Sequence, residues 1–146
     1  MNPLTRQDWL LLVLWGAEGK PLSPVQLQKT LFLLQKKAPT LVGHDFYNFE
    51  PYNYGPFDPQ IYSDAESLQE EGSVMIAARA DQRWKNYALP ARGAERATTL
   101  AQSLDSKARD YLQRLVKWVL SLDFNTLLRY IYAKYPKYRE NSVFQG

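Results

Sequence analysis

Residues 51–72 read PYNYGPFDPQIYSDAESLQEEG, and this stretch decides the fold because an aromatic turn leads directly into a well-marked helix. The Tyr-Gly-Pro turn at residues 54–56 has the composition of a tight turn. Asp58 and Pro59 then supply a helix cap and a proline at the first helical position. Apolar side chains at helical spacing continue to Gly72, a residue typical of helix ends. The stretch therefore predicts a turn followed by one amphipathic helix.

This predicted helix, which we call the acidic helix, carries only negative charge. Its acids are Asp58, Asp64, Glu66, Glu70 and Glu71, and no Lys or Arg lies among them. Calcium and magnesium loops place their acids on turns that contain glycine, whereas these acids lie around a helix. We therefore expect a solvated acidic face and no metal site.

Capping signals and hydrophobic periodicity extend the prediction to the rest of the chain. Thr5 with Asp8, and Ser23 with Pro24, begin two helices that end near Ala17 and Lys37. Lys29, Lys36 and Lys37 are expected to face water. The remaining predicted elements are a short edge strand at 46–52, strands at 73–79 and 86–90 joined by a polar wing at 80–85, and helices at 92–104, 106–122 and 124–135 with Asp123 as a cap.

These elements predict a mainly α protein with a small antiparallel β-sheet, an α+β fold. Three helices followed by a two-stranded wing are the layout of a winged helix, with the acidic helix in the position of the DNA-reading helix. We expect a single winged-helix-like domain over residues 1–146, with C-terminal helices from about residue 106. The last four residues, 143–146, resemble part of a protease-site tag.

Composition places the chain among ordinary globular proteins. It has 146 residues, no cysteine and a net charge of +3. Residues 1–72 hold five basic and nine acidic side chains, whereas residues 73–146 hold thirteen and six, so the basic charge is concentrated in the second half. A helix needs about 18 consecutive apolar residues to span a bilayer, and no apolar run in the sequence is that long. We expect a cytoplasmic protein that does not associate with membranes.

Catalysis has little support in the sequence. His44 is the only histidine, and no nucleophile or metal-ligand pattern accompanies it. The seven glycines form neither a GxGxxG nor a GxxxxGK pattern, so no phosphate loop is predicted. We predict a protein that is not an enzyme and has no catalytic residue, no cofactor and no metal.

Four segments together resemble the Panacea-like group of phage-associated proteins, which includes SocA-type antitoxins and YwgA-like relatives. They are LQKTLFLLQ at 27–35, the quoted stretch at 51–72, YALPARG at 87–93 and FNTLLRYIYAKYP at 124–136. The resemblance implies a small winged-helix-like fold and a role in toxin neutralisation, phage-related islands or regulation. It implies no catalytic residues.

The leading hypothesis is a non-catalytic module that binds a partner protein, either as an antitoxin or as an accessory to a phage-related defence system. Aromatic residues are enriched at the energetic centres of protein interfaces. The acidic helix opposes insertion into a DNA groove because of the phosphate charge. The predicted partner-binding residues are Tyr52, Tyr54, Phe57, Tyr62, Asp64, Glu66 and Glu70.

The alternative is a DNA-binding transcriptional regulator that contacts duplex through its wing. The wing combines cations with a stackable ring, a mixture that suits contact with the nucleic-acid backbone. Its predicted contact residues are Arg79, Arg83, Trp84 and Lys85. The sequence does not define the oligomeric state, and a dimer is compatible with it.

Overall fold

The computed structural model describes residues 3–145 and has the predicted mainly α, α+β fold. Two small antiparallel sheets accompany the helices in this part of the chain. The helices are α1 Arg6–Gly16, α2 Pro24–Lys37, α3 Pro39–Val42, α4 Gln60–Glu70, α5 Ala91–Gln102, α6 Ser106–Ser121 and α7 Phe124–Lys134, and a 3-10 helix covers Pro136–Arg139. The strands are β1 Glu50–Tyr52, β2 Gly55–Phe57, β3 Met75–Ala78 and β4 Lys85–Ala88.

Reciprocal side-chain caps begin the first two helices where the sequence predicts them. The Thr5 hydroxyl accepts from the Asp8 amide at 3.2 Å, and the Asp8 carboxylate accepts from the Thr5 amide at 2.9 Å. Ser23 and Gln26 repeat this arrangement at the start of α2. Because each pair satisfies two otherwise unpaired amides, both helix starts are fixed locally.

The two strands predicted on either side of the wing form one sheet. Strands β3 and β4 pair antiparallel, with Met75 opposite Ala88. Leu22, in the connection between α1 and α2, forms a bridge to Tyr87, and the two residues exchange backbone hydrogen bonds of 2.9 Å. The hairpin is thereby joined to the connection between α1 and α2, and it also packs against α2 and α4. The predicted acidic helix is α4.

A segment between α2 and α4 differs from the prediction. Residues 46–52 were expected to form one edge strand, but only Glu50–Tyr52 is extended, and it pairs with Gly55–Phe57 in a second hairpin. Gly55 has a φ of +89°, a conformation that favours glycine, which explains why the turn needs this residue. The predicted turn at residues 54–56 is therefore shifted: Asn53 and Tyr54 form the turn of a hairpin inserted before α4, and Gly55 and Pro56 belong to β2.

The C-terminal helices pack against the winged-helix elements around one continuous apolar core. A Cβ atom on Gly16 of α1 would lie 2.9 Å from Val116 Cγ2 of α6, so the two helices cross in close contact there. Buried apolar side chains on α6 and α7 complete the core; they are Leu112, Leu115, Val116, Val119, Leu127, Leu128, Ile131 and Tyr132.

Within residues 3–145, no helix combines the length and the apolar composition needed to cross a bilayer. The tag-like ending is described as far as Gln145, and its last residue, Gly146, lies outside the described residues.

Candidate functional site

Two polar residues of α2 bind the backbone of β2 and of Asp58, which follows it. Gln28 Nε2 donates to the Asp58 carbonyl at 2.8 Å, and Gln28 Oε1 accepts from the Asp58 amide at 3.0 Å. Lys29 Nζ donates to the Pro56 carbonyl at 2.9 Å. Because Pro56 and Asp58 are buried, these contacts supply hydrogen-bond partners that their backbone groups could not obtain from solvent.

The prediction that Lys29 faces water is wrong. Its exposed fraction is 3%, and the Cβ position of Gly55 lies 3.6 Å from its Cε. Residues 27–34 are all buried, so the middle of α2 is enclosed on all sides and Lys29 has no path to solvent. Burial lowers the pKa of Lys29 to about 7.

The predicted cap is wrong by one residue, because α4 begins at Gln60 and Pro59, not Asp58, occupies the N-cap position. Asp58 nevertheless binds the start of the helix. Its carboxylate accepts from the Gln60 amide at 2.9 Å and from the Asn48 amide at 2.8 Å. This side chain is buried and ties the start of α4 to the segment that leads into the hairpin. It therefore contributes no charge to an exposed acidic face.

Asp64 was predicted to lie on the exposed face, and this is wrong as well. Its exposed fraction is 2%, and it is the centre of a polar cluster that joins three parts of the chain. Four side chains donate to its carboxylate: Tyr47 Oη at 2.6 Å, Arg6 Nε at 2.8 Å, Gln60 Nε2 at 2.9 Å and Gln7 Nε2 at 3.3 Å. Burial opposes ionisation, but these hydrogen bonds outweigh it and the pKa of Asp64 lies below its ordinary value. Asp64 is thus a structural carboxylate that attaches α4 to α1.

Only two of the five acids remain available to a partner. Glu71 forms an ion pair with Arg96 of α5 at 2.9 Å, so its charge is offset within the molecule. Glu66 and Glu70 lie one turn apart on the exposed side of α4, and neither has a side-chain partner among residues 3–145. The exposed acidic face is therefore smaller than the sequence suggested, but it still contains no cation.

Three of the four predicted aromatic residues form a continuous row with Tyr87. The Tyr52 and Phe57 rings stack with centroids 4.7 Å apart, Phe57 contacts Tyr62 at 5.8 Å, and Tyr62 stacks on Tyr87 of β4 at 6.1 Å. Exposure decreases along this row, from 51% for Tyr52 to a buried Tyr87. We call these four residues the aromatic row; it connects the inserted hairpin to the wing sheet and passes one turn from Glu66.

Tyr54 lies on the other side of the hairpin. Its ring is 45% exposed and contacts Phe124 at the start of α7, with centroids 5.5 Å apart. Phe124 is itself exposed and packs against Phe144. The structure therefore separates Tyr54 from the other predicted partner-binding aromatics.

The wing residues are exposed, as the DNA-binding hypothesis requires. Trp84 is 47% exposed and does not fold onto the core, and Arg83 and Lys85 on either side of it are exposed too. Arg79 lies 3.6 Å from Asp81, so one of the four predicted residues is partly neutralised by a neighbour. Three exposed side chains, two cations around an indole ring, remain at the end of the wing.

A further cluster, which sequence analysis missed, lies between the end of α2 and the helices α6 and α7. It brings Lys37 together with Tyr111, Arg114, Trp118 and Tyr130 around a cavity of about 340 Å³. The α6 members recur at i, i+3 and i+7, a helical stripe that could have marked one wall of the cavity. Nothing local in the sequence indicates that Lys37 lies opposite this stripe.

His44 is exposed in a loop, and no group of three His, Asp or Glu side chains within residues 3–145 is arranged to hold a metal ion. Comparison with known proteins adds no assignment to these sites. No protein-family model matches the chain, and no curated protein is significantly similar to it in sequence.

Proposed function

We propose that this protein is a non-catalytic module that binds a partner protein through the aromatic row and the exposed acids of α4, as an antitoxin or as an accessory to a phage-related defence system. The observation that carries the proposal is the exposed Tyr52 ring on a hairpin that is anchored from inside the protein. The sequence resemblance to SocA-type antitoxins supports the biological setting.

Rigidity favours this surface as a binding site. Lys29 and Gln28 fix the backbone of the hairpin, and the stacked Phe57 ring supports Tyr52. A side chain that is already ordered loses less conformational entropy when it enters an interface. Tyrosine also combines a large apolar ring with a hydroxyl that can hydrogen-bond at the edge of an interface.

The charge of the surface specifies the chemistry of the partner. Glu66 and Glu70 carry uncompensated negative charge beside the aromatic row. We therefore expect a partner surface with an apolar pocket for Tyr52 and basic residues opposite the two glutamates.

Co-purification with the product of the adjacent gene tests the proposal. We expect Tyr52→Ser and the double variant Glu66→Lys/Glu70→Lys each to weaken the complex at least about tenfold, because an aromatic anchor and a charge-complementary contact are lost. Trp84→Ser and Glu95→Lys are matched controls, since they change an exposed aromatic residue on the wing and an exposed acid on α5. Equal affinity of the Tyr52 and Glu66/Glu70 variants with the unmodified protein would contradict this surface.

A second candidate function is DNA binding through the wing. The observation that favours it is the exposed Trp84 between two exposed cations. Under this hypothesis the wing contacts the phosphate backbone, while the two glutamates keep α4 away from the bottom of the groove.

Electrophoretic mobility shifts with duplex DNA separate the two functions. DNA binding predicts affinity that falls steeply with salt and that Arg83→Gln/Lys85→Gln abolishes, whereas Tyr52→Ser leaves it unchanged. The absence of any shift at low salt excludes the second function and leaves the first intact.

A further inference from the structure

The cavity between α2, α6 and α7 combines cations with aromatic rings. Lys37 Nζ donates a hydrogen bond to the Tyr130 hydroxyl and lies 5.0 Å from the centroid of the same ring. Arg114 and Tyr111 line the opposite side on α6, above the buried Leu115. Thus α2 contributes a charge, α7 contributes an aromatic ring, and α6 contributes both to one small, open cavity.

The aromatic rings in the cavity are held at a fixed angle. Trp118 and Tyr130 contact edge to face, with centroids 4.7 Å apart and ring planes inclined by 73°. A planar ligand can lie parallel to one ring while its edge meets the other. The volume, about 340 Å³, lies at the lower end of the range for small-molecule sites.

The cations of the cavity have no acidic partner in the described part of the chain. Every ion pair found in residues 3–145 lies elsewhere, and neither Lys37 nor Arg114 has a carboxylate oxygen within 4 Å. The hydrogen bond to Tyr130 uses one of the three ammonium protons of Lys37, so two remain for a ligand. Arg114 Nε donates a hydrogen bond to the Asp110 carbonyl at 3.4 Å. The two terminal nitrogens of its guanidinium group have no hydrogen-bond partner among residues 3–145.

We propose that this cavity binds a nucleoside phosphate, with the base against Trp118 or Tyr130 and the phosphate between Lys37 and Arg114. Aromatic side chains stack on every base, and guanidinium and ammonium groups are the usual phosphate ligands. A free nucleotide and the terminal nucleotide of a single strand present the same chemistry. The site lies on different elements from the aromatic row and from the wing, and it does not rest on the function proposed above.

Fluorescence anisotropy at low salt tests this proposal with two labelled probes, adenosine monophosphate and an oligothymidine octamer. We expect Lys37→Gln and Arg114→Gln each to weaken binding about tenfold, since each removes a charge-assisted contact. Trp118→Leu should also weaken it about tenfold through lost stacking. Lys117→Gln is the matched control, because Lys117 precedes Trp118 on the same helix but pairs with Glu18 at 3.1 Å; we expect less than a twofold effect.

The two probes separate the sources of the ligand. Tighter binding of the mononucleotide supports a free nucleotide, and tighter binding of the octamer supports a single strand. Lys37→Gln and Arg114→Gln change exposed side chains, so circular dichroism should confirm that both variants remain folded. The proposal is overturned if neither probe binds, if Lys117→Gln weakens binding as much as Arg114→Gln, or if inorganic phosphate competes as well as the mononucleotide.

Discussion

Lys29 couples the ionisation of one side chain to the geometry of the inserted hairpin. Its amine is buried against the Pro56 carbonyl, and burial lowers its pKa from 10.5 to about 7. In the unfolded chain the ordinary value applies. Between about pH 7 and pH 10 the unfolded chain therefore binds more protons than the native protein, and the free energy of unfolding rises with pH.

Replacing this residue should remove the rise. We expect the free energy of unfolding of the unmodified protein to increase, relative to Lys29→Met, by up to about 1 kcal/mol per pH unit between pH 7.5 and 9.5. Urea denaturation across this range measures the difference. Lys36→Met, an exposed substitution two turns further along α2, should give a curve parallel to that of the unmodified protein. If the stability of Lys29→Met also changed with pH in parallel with the unmodified protein, the buried amine would not titrate between pH 7.5 and 9.5.

Asp64 also makes the free energy of unfolding rise with pH, but in the acid range. Its pKa is below the ordinary value of 3.8 because of the hydrogen bonds from Arg6 and its neighbours, so its stabilising effect is complete above that value and disappears as pH falls through the native pKa. Asp64→Asn should destabilise the protein by about 2 to 3 kcal/mol at pH 7, since Arg6 loses its ionised partner. It should also flatten the stability curve below pH 4.

Urea denaturation at pH 7 and at acid pH checks both effects. Glu66→Gln serves as the control because Glu66 lies on the same helix and is exposed, and we expect it to change stability by no more than about 0.5 kcal/mol. If Asp64→Asn and Glu66→Gln reduced the free energy of unfolding by similar small amounts, the Asp64 cluster would not attach α4 to α1.

At the scale of elements, the junction between the wing sheet and α5 depends on one glycine. A Cβ atom at Gly93 would lie 1.8 Å from the Ser73 carbonyl oxygen, a backbone atom that cannot rotate away. Gly93→Ala must therefore shift α5 from the start of β3, and we expect a loss of about 3 kcal/mol. Thermal unfolding measures it, with Ala94→Gly as a comparison that should cost about 1 kcal/mol by helix propensity alone. If Gly93→Ala and Ala94→Gly lowered stability equally, α5 would accommodate the added Cβ atom without strain.

The elements whose signals are local were predictable from the sequence. Thr5 and Asp8 lie three residues apart, and their mutual cap depends on nothing else in the chain. Asp58 also binds the start of the acidic helix locally, through the Gln60 amide, but Gln28 and Asn48 hold it from distant parts of the chain. By contrast, Asp64 gains its main partner, Arg6, from 58 residues away, and a charged residue at an apparently exposed helical position gives no sign of such a partner.

The candidate sites follow the same division. The aromatic residues of the hairpin were recognisable because they are close in sequence, and so were the cations of the wing. Lys37 and Tyr130 are 93 residues apart, and their contact depends on how α7 packs against α2. One feature of the sequence could have indicated that Lys29 is buried: the four consecutive apolar residues Leu31–Leu34 are typical of a helix that is covered on all faces.

For the whole molecule, the distribution of charge separates three surfaces. Internal pairing removes Asp64 and Glu71 from the acidic face, which leaves a small negative surface beside the aromatic row. The wing and the cavity at Lys37 are both positive and lie on other elements. Charge reversal at Glu66 and Glu70 and charge removal at Lys37 should therefore act independently of each other.

The C-terminal helices are also required for folding if residues 1–146 form one domain, as we predict. The eight buried apolar side chains of α6 and α7 each contribute about 1.5 to 3 kcal/mol on burial, a total comparable to or larger than the net stability of a typical domain. A chain that ends after Leu104 should therefore lose its cooperative urea transition and its near-ultraviolet circular dichroism. A chain that ends after Ser142 loses the hydrogen bond from the Val143 amide to the Asn53 carbonyl and the Phe144 contacts, and we expect it to remain folded with a loss of about 1 kcal/mol. A cooperative transition in the shorter chain would instead identify residues 1–104 as an independent winged-helix domain.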